Sequence, residues 1–435
     1  MMNREKYDVL VIGAGVAGLN CAINLPLDKR VLVVCKGGVR ESDSFLAQGG
    51  ICVLRDENDF DGYFEDTMRA GHYENNPDTV RCMIENSRDT ISDLVGMGVR
   101  FARENGEFVY TREGAHSRPR ILFHEDCTGR EITSHVLKEA RTRENIEIRT
   151  HTVMIDLICD EGNTRCFGAV LRERGTGRVY AVTADDTVLA TGGVGGLFRH
   201  STNFPLLTGD GLAVCLRHGV ALEHPDYVQI HPTTLYTGKP GRKFLISESV
   251  RGEGAKLLNA KGERFVDELQ PRDVVAQAIF AEMKKEGSKC VHLDMRTVNG
   301  GADTLRHHFP GIVKRCAEEG FDVFSQPIPV VPAQHYFMGG IKSDLLGRTT
   351  MKNLYAVGET CCNGVHGKNR LASNSLLEAL IFAKRAAGDI AKQDKPMDET
   401  EALRAVAGLN GKDYEKPRAL AREYKKAVRK EVRHE

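Results

Sequence analysis

Residues 7–18 read YDVLVIGAGVAG, from Tyr7 to Gly18. Tyr7–Ile12 is a short apolar run of the kind a buried strand uses, and Val16–Leu25 carries the apolar spacing of a helix. Between them Gly13-Ala14-Gly15-Val16-Ala17-Gly18 fits G-x-G-x-x-G. In that setting each glycine has its own role. The first makes the turn, the second lets backbone approach a pyrophosphate, and the third lets helix and strand pack closely, while the helix N-terminus stabilises phosphate charge. The stretch predicts a dinucleotide-binding strand–turn–helix. A second strand, Arg30–Cys35, ends in Cys35-Lys36 and not in the Asp or Glu that holds a ribose in the NAD fingerprint. NAD is therefore not indicated.

Outward from this unit, Ile146–Thr150, Val153–Cys159, Cys166–Arg172, Asp186–Ala190 and Leu354–Val357 read as further strands, and Ser373–Asp389 as a long helix. The expected class is α/β with a parallel sheet. From 226 to 336 the texture changes to HPTT, SESVRGEGA, NAKGERFVDE and QPRD, which predicts an inserted second domain. The expected organisation is a cofactor domain over 1–225 and 337–395, an insert over 226–336, and a tail over 396–435. In the tail, Lys412–Glu435 holds nine Lys/Arg against five Asp/Glu, and Leu420, Tyr424, Val428 and Val432 recur every fourth residue. That is one amphipathic helix with a solvated basic face.

Composition bounds the function. The 435 residues carry 60 Lys+Arg and 60 Asp+Glu, which argues against a nucleic-acid binder driven by bulk charge. With 41% hydrophobic and 28% charged residues the chain reads as globular, and no apolar run approaches membrane-span length. The polar start before Tyr7 predicts no signal peptide. Twelve scattered cysteines without a CxxC pair suit a reducing, cytoplasmic setting and offer no zinc or iron–sulfur spacing. Cys361–Cys362 reads as two small core or wall residues.

Two more segments point to a flavin. Thr191-Gly192-Gly193 is a second small-residue turn after a strand, and NLYAVGE (353–359) followed by LASNSL (371–376) places an acid and then a helix start far downstream. Glu359 is placed to accept bonds from ribityl or ribose hydroxyls. Backbone N–H groups at Ser375 and Leu376 are placed to face the electron-rich edge of a flavin ring.

Eight ordered segments carry a resemblance: Gly13–Gly18, SFLAQGG (44–50), TGDG (208–211), QIHPT (229–233), SESVRGEGA (247–255), QPRD (270–273), PAQHY (332–336) and NRLASNSLL (369–377). Together they resemble the flavoprotein family of fumarate reductase and succinate dehydrogenase, most closely its L-aspartate oxidase branch, over roughly residues 5–395. The resemblance implies a Rossmann-like FAD-binding domain with an inserted α+β capping domain and a short C-terminal helical tail. It implies FAD contacts from Gly13–Gly18, Lys36, Asp43, Ser44, Phe45, Ala47, Gln48, Gly49, Gly50, Val153, Met154, Thr191, Gly192, Gly193, Asp210, Glu359, Asn374, Ser375 and Leu376. Relatives that bind FAD covalently use a His where this chain has Asp43, so non-covalent FAD is implied.

By the same resemblance, His335 and Arg370 bind one substrate carboxylate, His231 and Ser247 the other, with Gln229 beside them and Glu113 facing the ammonium group that succinate lacks. Arg offers the planar fork that fits a carboxylate. Arg272 matches the family's proton-transfer residue. Glu248 and Arg251 stand three apart, hence on one helix face, and complete a relay with it. His116, His307 and His308 read as structural. The implied activity is oxidation of L-aspartate to iminoaspartate with fumarate or O2 as acceptor, with product passing to quinolinate synthase in NAD biosynthesis. A soluble fumarate reductase is the alternative. No membrane or nucleic-acid partner is expected. Many members of the family carry a longer C-terminal helical domain than the roughly 40 residues here.

Overall fold

A computed structural model describes residues 2–393 and 396–432. Strand β1 (Arg4–Ile12) and helix α1 (Val16–Ile23) follow from the opening stretch. Val9–Ile12 is buried and apolar without alternation, which a strand covered on both faces requires. All eight residues of α1 are buried. Gly13 takes φ +123°, and a Cβ there would overlap the Ala190 carbonyl; a Cβ on Gly18 would overlap the Gly13 carbonyl. Both positions need glycine, the first for conformation and the second for proximity.

Strands β2 (Val31–Val34), β3 (Ile146–Arg149), β4 (Thr152–Cys159), β5 (Cys166–Glu173) and β6 (Val179–Leu189) complete most of the sheet, in the order β3-β2-β1-β6-β5-β4. The pairs β3–β2, β2–β1 and β1–β6 are parallel. The β6–β5 and β5–β4 pairs are antiparallel, so the sheet is mixed and not all-parallel as the strand pattern predicts. The reason is connection length: six residues join β4 to β5 and five join β5 to β6, too few for a crossover. Strand β6 also begins seven residues ahead of the apolar run Asp186–Ala190. Its first half pairs with β5, and its last three residues pair in parallel with the late strand Leu354–Ala356.

A second sheet orders β7 (Val228–Leu235), β10 (Ile328–Phe337), β9 (Val291–Asp294) and β8 (Lys256–Leu258), all antiparallel. It has its own core, including Leu235, Val250, Leu257, Ile279, Leu293, Ile312 and Val330. Helices α2 (Glu248–Gly252) and α3 (Arg272–Glu286) belong to this layer. Helix α4 (Ser375–Ile390) returns the chain to α1 and the first sheet.

Downstream, the helix Glu399–Gly408 ties back through Glu399 to Arg4 and Lys6. Helix α5 (Pro417–Val432) buries Leu420, Tyr424, Val428 and Val432, the stripe read from the sequence. The Tyr424 hydroxyl donates to the Ile155 carbonyl (2.7 Å), which seats this helix on the first sheet. The expected boundary at 395 and the last three residues of the tail lie outside the described residues. All twelve cysteines are free thiols, and Cys361–Cys362 forms a short buried strand. Among the described residues no helix is long and apolar enough to cross a membrane.

Gly18→Ala should overpack the α1–β1 junction by about 1–3 kcal/mol. Chemical denaturation reads this out, and the midpoint is expected to fall.

Candidate active site

A cavity of about 590 Å³ opens at the C-terminal ends of β1 and β6 and runs beneath the second sheet. Its cofactor end is lined by Gly13–Ala17, Lys36, Asp43–Phe45, Ala47–Gly50, Val153, Met154, Thr191, Gly192, Asp210, Glu359, Ser375 and Leu376. The α1 N-terminus points here, and the Val16 N–H donates to Ser44 Oγ (3.1 Å). Lys36 occupies the place where an acid holds ribose in NAD proteins, and its Nζ pairs with Asp210 (2.7 Å). Asp43 accepts the Phe204 N–H (2.9 Å), and Glu359 accepts the Phe337 N–H (3.0 Å). Burial pushes Asp43 up to about 7, against the Phe204 N–H and Arg242. Burial, then Asp43, pushes Glu359 well above the usual carboxylate range. Asp43 Oδ2 and Gln48 Oε1 are buried without partners. Acceptors left open on the wall of a cavity this size fit a ligand that brings hydroxyl and N–H donors, as FAD does.

At the other end, residues far apart in the chain converge. Helix α2 places Glu248 and Arg251 on one face, and Arg251 Nη2 lies 3.5 Å from Glu248. Arg272, the first residue of α3, donates from Nε to the same Glu248 carboxylate and from Nη1 to Gln229 Oε1 (2.9 Å). Arg370 Nε donates to that Gln229 oxygen as well (3.3 Å). One side-chain amide thus links the two guanidinium groups. Burial alone would raise Glu248, but Arg272 and Arg251 outweigh it and hold the carboxylate below its ordinary range. Burial, then Arg272, pulls Arg370 down to about 10. Arg370 also lies over the Tyr336 ring (4.5 Å) and donates to Ser375 Oγ (2.6 Å).

His231 and His335 stand edge to face with ring centres 5.1 Å apart, so the two expected carboxylate sockets adjoin. Burial, then the charge of Arg272, pushes both imidazoles well below their ordinary range, which favours the neutral ring. His335 Nδ1 is 2.7 Å from Thr202 Oγ1. His231 Nδ1 meets the backbone of Thr233, while its Nε2 is buried and unpartnered. Ser247 caps α2, its Oγ accepting the Ser249 N–H (3.3 Å). Glu113 accepts from Ser249 Oγ (2.7 Å) and Ser373 Oγ (2.6 Å) beside Gly49. Burial, then Glu248, raises its pKa against the pull of Arg272.

Five residues expected at the site stand off the cavity wall. Gly18 and Gly193 are packing positions, facing the Gly13 carbonyl and Glu359 respectively. Asn374 is fully buried and accepts the Tyr63 hydroxyl (2.7 Å). Gln229 works from behind, as the joint between arginines, and Arg251 sits behind Glu248, donating to the Glu268 carbonyl. The three histidines read as structural are off the wall too: His116 meets the Ala372 carbonyl, His307 the Asp303 carbonyl, and His308 pairs with Glu253. Sequence reasoning does not single out Ser249, Ser373, Thr202 or Tyr336. Three of them lie inside the quoted segments, but a serine among serines carries no pattern, and Thr202 lies in no motif.

The FAD binding domain family matches residues 8–376. An L-aspartate oxidase of Clostridium perfringens is 50% identical over 89% of this chain and 87% of that protein. One from Clostridium acetobutylicum is 48% identical over 88% of each. The chain belongs to the L-aspartate oxidase family of FAD-binding flavoproteins. It is an FAD-dependent oxidoreductase, and its cofactor is FAD. Among solved structures, a quinol fumarate reductase chain from E. coli superposes with a TM-score of 0.86 at 30% identity, over 94% of this chain and 74% of that one. The fold described above is therefore like that of this reductase chain.

Glu248→Gln removes the carboxylate that Arg251 and Arg272 share. Turnover should fall by about 100-fold or more, and stability by about 3 kcal/mol because two buried cations lose their counter-charge. Steady-state kinetics and denaturant titration check the pair.

Proposed function

We propose that this chain is an L-aspartate oxidase, converting L-aspartate to iminoaspartate and passing electrons to fumarate or O2. The observation that carries the reading is the pairing of Arg272 and Arg370 through Gln229, with Glu113 on the same cavity. Three guanidinium groups (Arg251, Arg272, Arg370) against two carboxylates (Glu113, Glu248) leave one positive charge in excess when Glu113 is ionised. That balance suits a dicarboxylate that also carries one ammonium group.

Bound FAD supplies the two-electron acceptor for the substrate's Cα–H bond. The protein does the rest. Arg370, stacked on Tyr336, binds one carboxylate through its planar fork, with His335 as neighbour. His231 offers its unpartnered Nε2 to the other carboxylate, beside Ser247. Neutral rings are suited to this role because they donate a hydrogen bond without trapping the substrate by full charge, and the charge of Arg272 adds to burial in keeping them neutral. Glu113 would receive the ammonium group and thereby fix the orientation of the substrate's Cα. Arg272 manages the proton. A free guanidinium is a poor base, but this one donates its Nε–H to Glu248, which Arg251 backs, so the Nε proton can pass to the carboxylate as another nitrogen of the same group takes up the substrate's proton, and Arg272 ends the step as the cation it began. In the reverse sense the same chain delivers a proton to a fumarate carbon, which accounts for fumarate as acceptor. The second sheet covers the cavity and limits water, which strengthens each of these charge interactions. We assign 226–336 as the capping domain and 1–225 with 337–395 as the FAD domain, in a cytoplasmic enzyme whose product passes to quinolinate synthase.

The alternative, fumarate reduction alone, is favoured by the likeness to the quinol fumarate reductase chain. Glu113 separates the two readings. Anaerobic L-aspartate should bleach the yellow flavin of the wild-type chain; an unbleached flavin overturns the assignment. Glu113→Gln should raise the KM for L-aspartate by about 10-fold or more while fumarate reduction by an artificial donor changes little. Because the Glu113 pKa is raised from 4.5, its charge is lost as pH falls through a value above 4.5. The wild-type KM for L-aspartate should climb on that acid limb, and Glu113→Gln should abolish the climb.

A further inference from the structure

We infer that His72 is a positioning residue for Arg272, and that the turn carrying it sets the spacing between Arg272 and Arg370. The inference rests on the catalytic reading of those two arginines given above. It starts from a strained stretch of backbone. His72 and Tyr73 take φ +58° and +59°, consecutive non-glycine residues in the left-handed region. The turn is held by the Tyr73 N–H donating to the Met68 carbonyl (2.8 Å) and the His72 N–H to the Arg69 carbonyl (3.1 Å). Strain of this kind persists where surrounding contacts demand it, and it gathers at working sites.

The turn touches both halves of the site. On one side, its backbone grips the segment that ends in Arg370. The Gly71 carbonyl accepts the Lys368 N–H (3.1 Å), and the Ala70 carbonyl accepts Asn369 Nδ2 (3.0 Å). Asn369 Oδ1 in turn accepts from Gln229 Nε2 (2.9 Å), the same amide whose oxygen joins the arginines. On the other side, His72 Nε2 lies 2.9 Å from Asp273 Oδ2. Asp273 is the residue after Arg272, in the first turn of α3. That turn has no side-chain cap of its own, since Pro271 stands at the cap position. The guanidinium itself is held by Glu248 and Gln229, and the segment ahead of the helix by the Ala115 N–H on the Leu269 carbonyl (3.0 Å); the His72–Asp273 pair ties the first turn of the helix across the seam between the two sheets. Asp273 Oδ1 has no partner, so the tie runs through a single oxygen.

The pair is partly solvated, with side-chain exposures of 43% for His72 and 32% for Asp273. Pairs of that kind add little to stability. Its consequence is geometric: a displacement of about 1 Å at a group that must reach the reacting atom costs up to 100-fold in rate. This separates a positioning role from a merely structural one.

The test uses the FAD-loaded full chain. His72→Ala should lower kcat for L-aspartate about 10-fold, leave KM within about 2-fold and leave the melting midpoint within a few degrees. His72→Gln, whose amide can still donate to Asp273, should recover most of the rate. His72→Ala should cost nothing more once Asp273→Ala is present, since that substitution removes the acceptor. Hydrogen–deuterium exchange over the first turn of α3, without substrate, should rise in His72→Ala and not in His72→Gln. Wild-type kcat and unchanged exchange in His72→Ala overturn the inference, as does a loss of rate that His72→Gln shares. If His72→Ala does not accumulate as holoenzyme, Asp273→Ala is read by the same outcomes. Failure of the wild-type chain to oxidise L-aspartate overturns the substrate reading instead; the His72 comparison is then made on fumarate reduction, which also needs Arg272.

Discussion

The structure depends on a buried cation that is paired but not extinguished. Arg272 is nearly inaccessible, and its counter-charge is Glu248, itself shared with Arg251. Taking such groups from water costs several kcal/mol each, returned only when geometry is good and the remaining donors find acceptors. Gln229 supplies one of those acceptors and uses the same oxygen to hold Arg370. The cluster draws on β7, α2, the start of α3 and the loop before α4. No single element contains enough of it to exist alone, so the second sheet must sit above the first.

Around that cluster, the cavity sorts titratable groups by what each must bind. At the cofactor end, Asp43 and Glu359 line one poorly solvated wall. Burial raises both carboxyl groups, and the charge of Asp43 raises Glu359 further. Such acids accept hydroxyl donors without building a large negative charge beside a phosphate-bearing ligand. At the substrate end, the same burial works on bases, and with the arginines it keeps His231 and His335 neutral. Positive charge is left to the guanidinium groups of Arg251, Arg272 and Arg370. The result is an anion pocket next to a hydroxyl-accepting wall, produced by one physical effect acting on residues of opposite kind.

The tail beyond α4 supports that arrangement from behind. Helix α5 covers the helix Asp210–Arg217 with a four-residue apolar stripe, and Tyr414 reaches Asp156 (2.9 Å) on β4. These contacts close the outer face of the first sheet and lie behind the cavity wall. They stabilise the support of the cofactor end without reaching the arginines.

Much of this was legible in the residues. The glycines of 13–18 have one conformational solution after an apolar strand, so the opening unit could be read locally. The α5 stripe and the Glu248/Arg251 face follow from helical periodicity alone. Segment order identified the family and named just under half of the cavity wall. What sequence could not supply was anything set by pairing across distance. The direction of β5 depended on two short connections whose strands were recognised but whose partners were not, and the length of β6 depended on neighbours on its edge. The role of Gln229 as a joint, the serines around Glu113 and the tie from His72 to Asp273 join residues up to 260 positions apart. Local chemistry dictates which residues can carry charge or turn the backbone. Only the packing of two sheets decides which charges meet, because the free energy of a buried ion depends on neighbours that the chain brings from elsewhere.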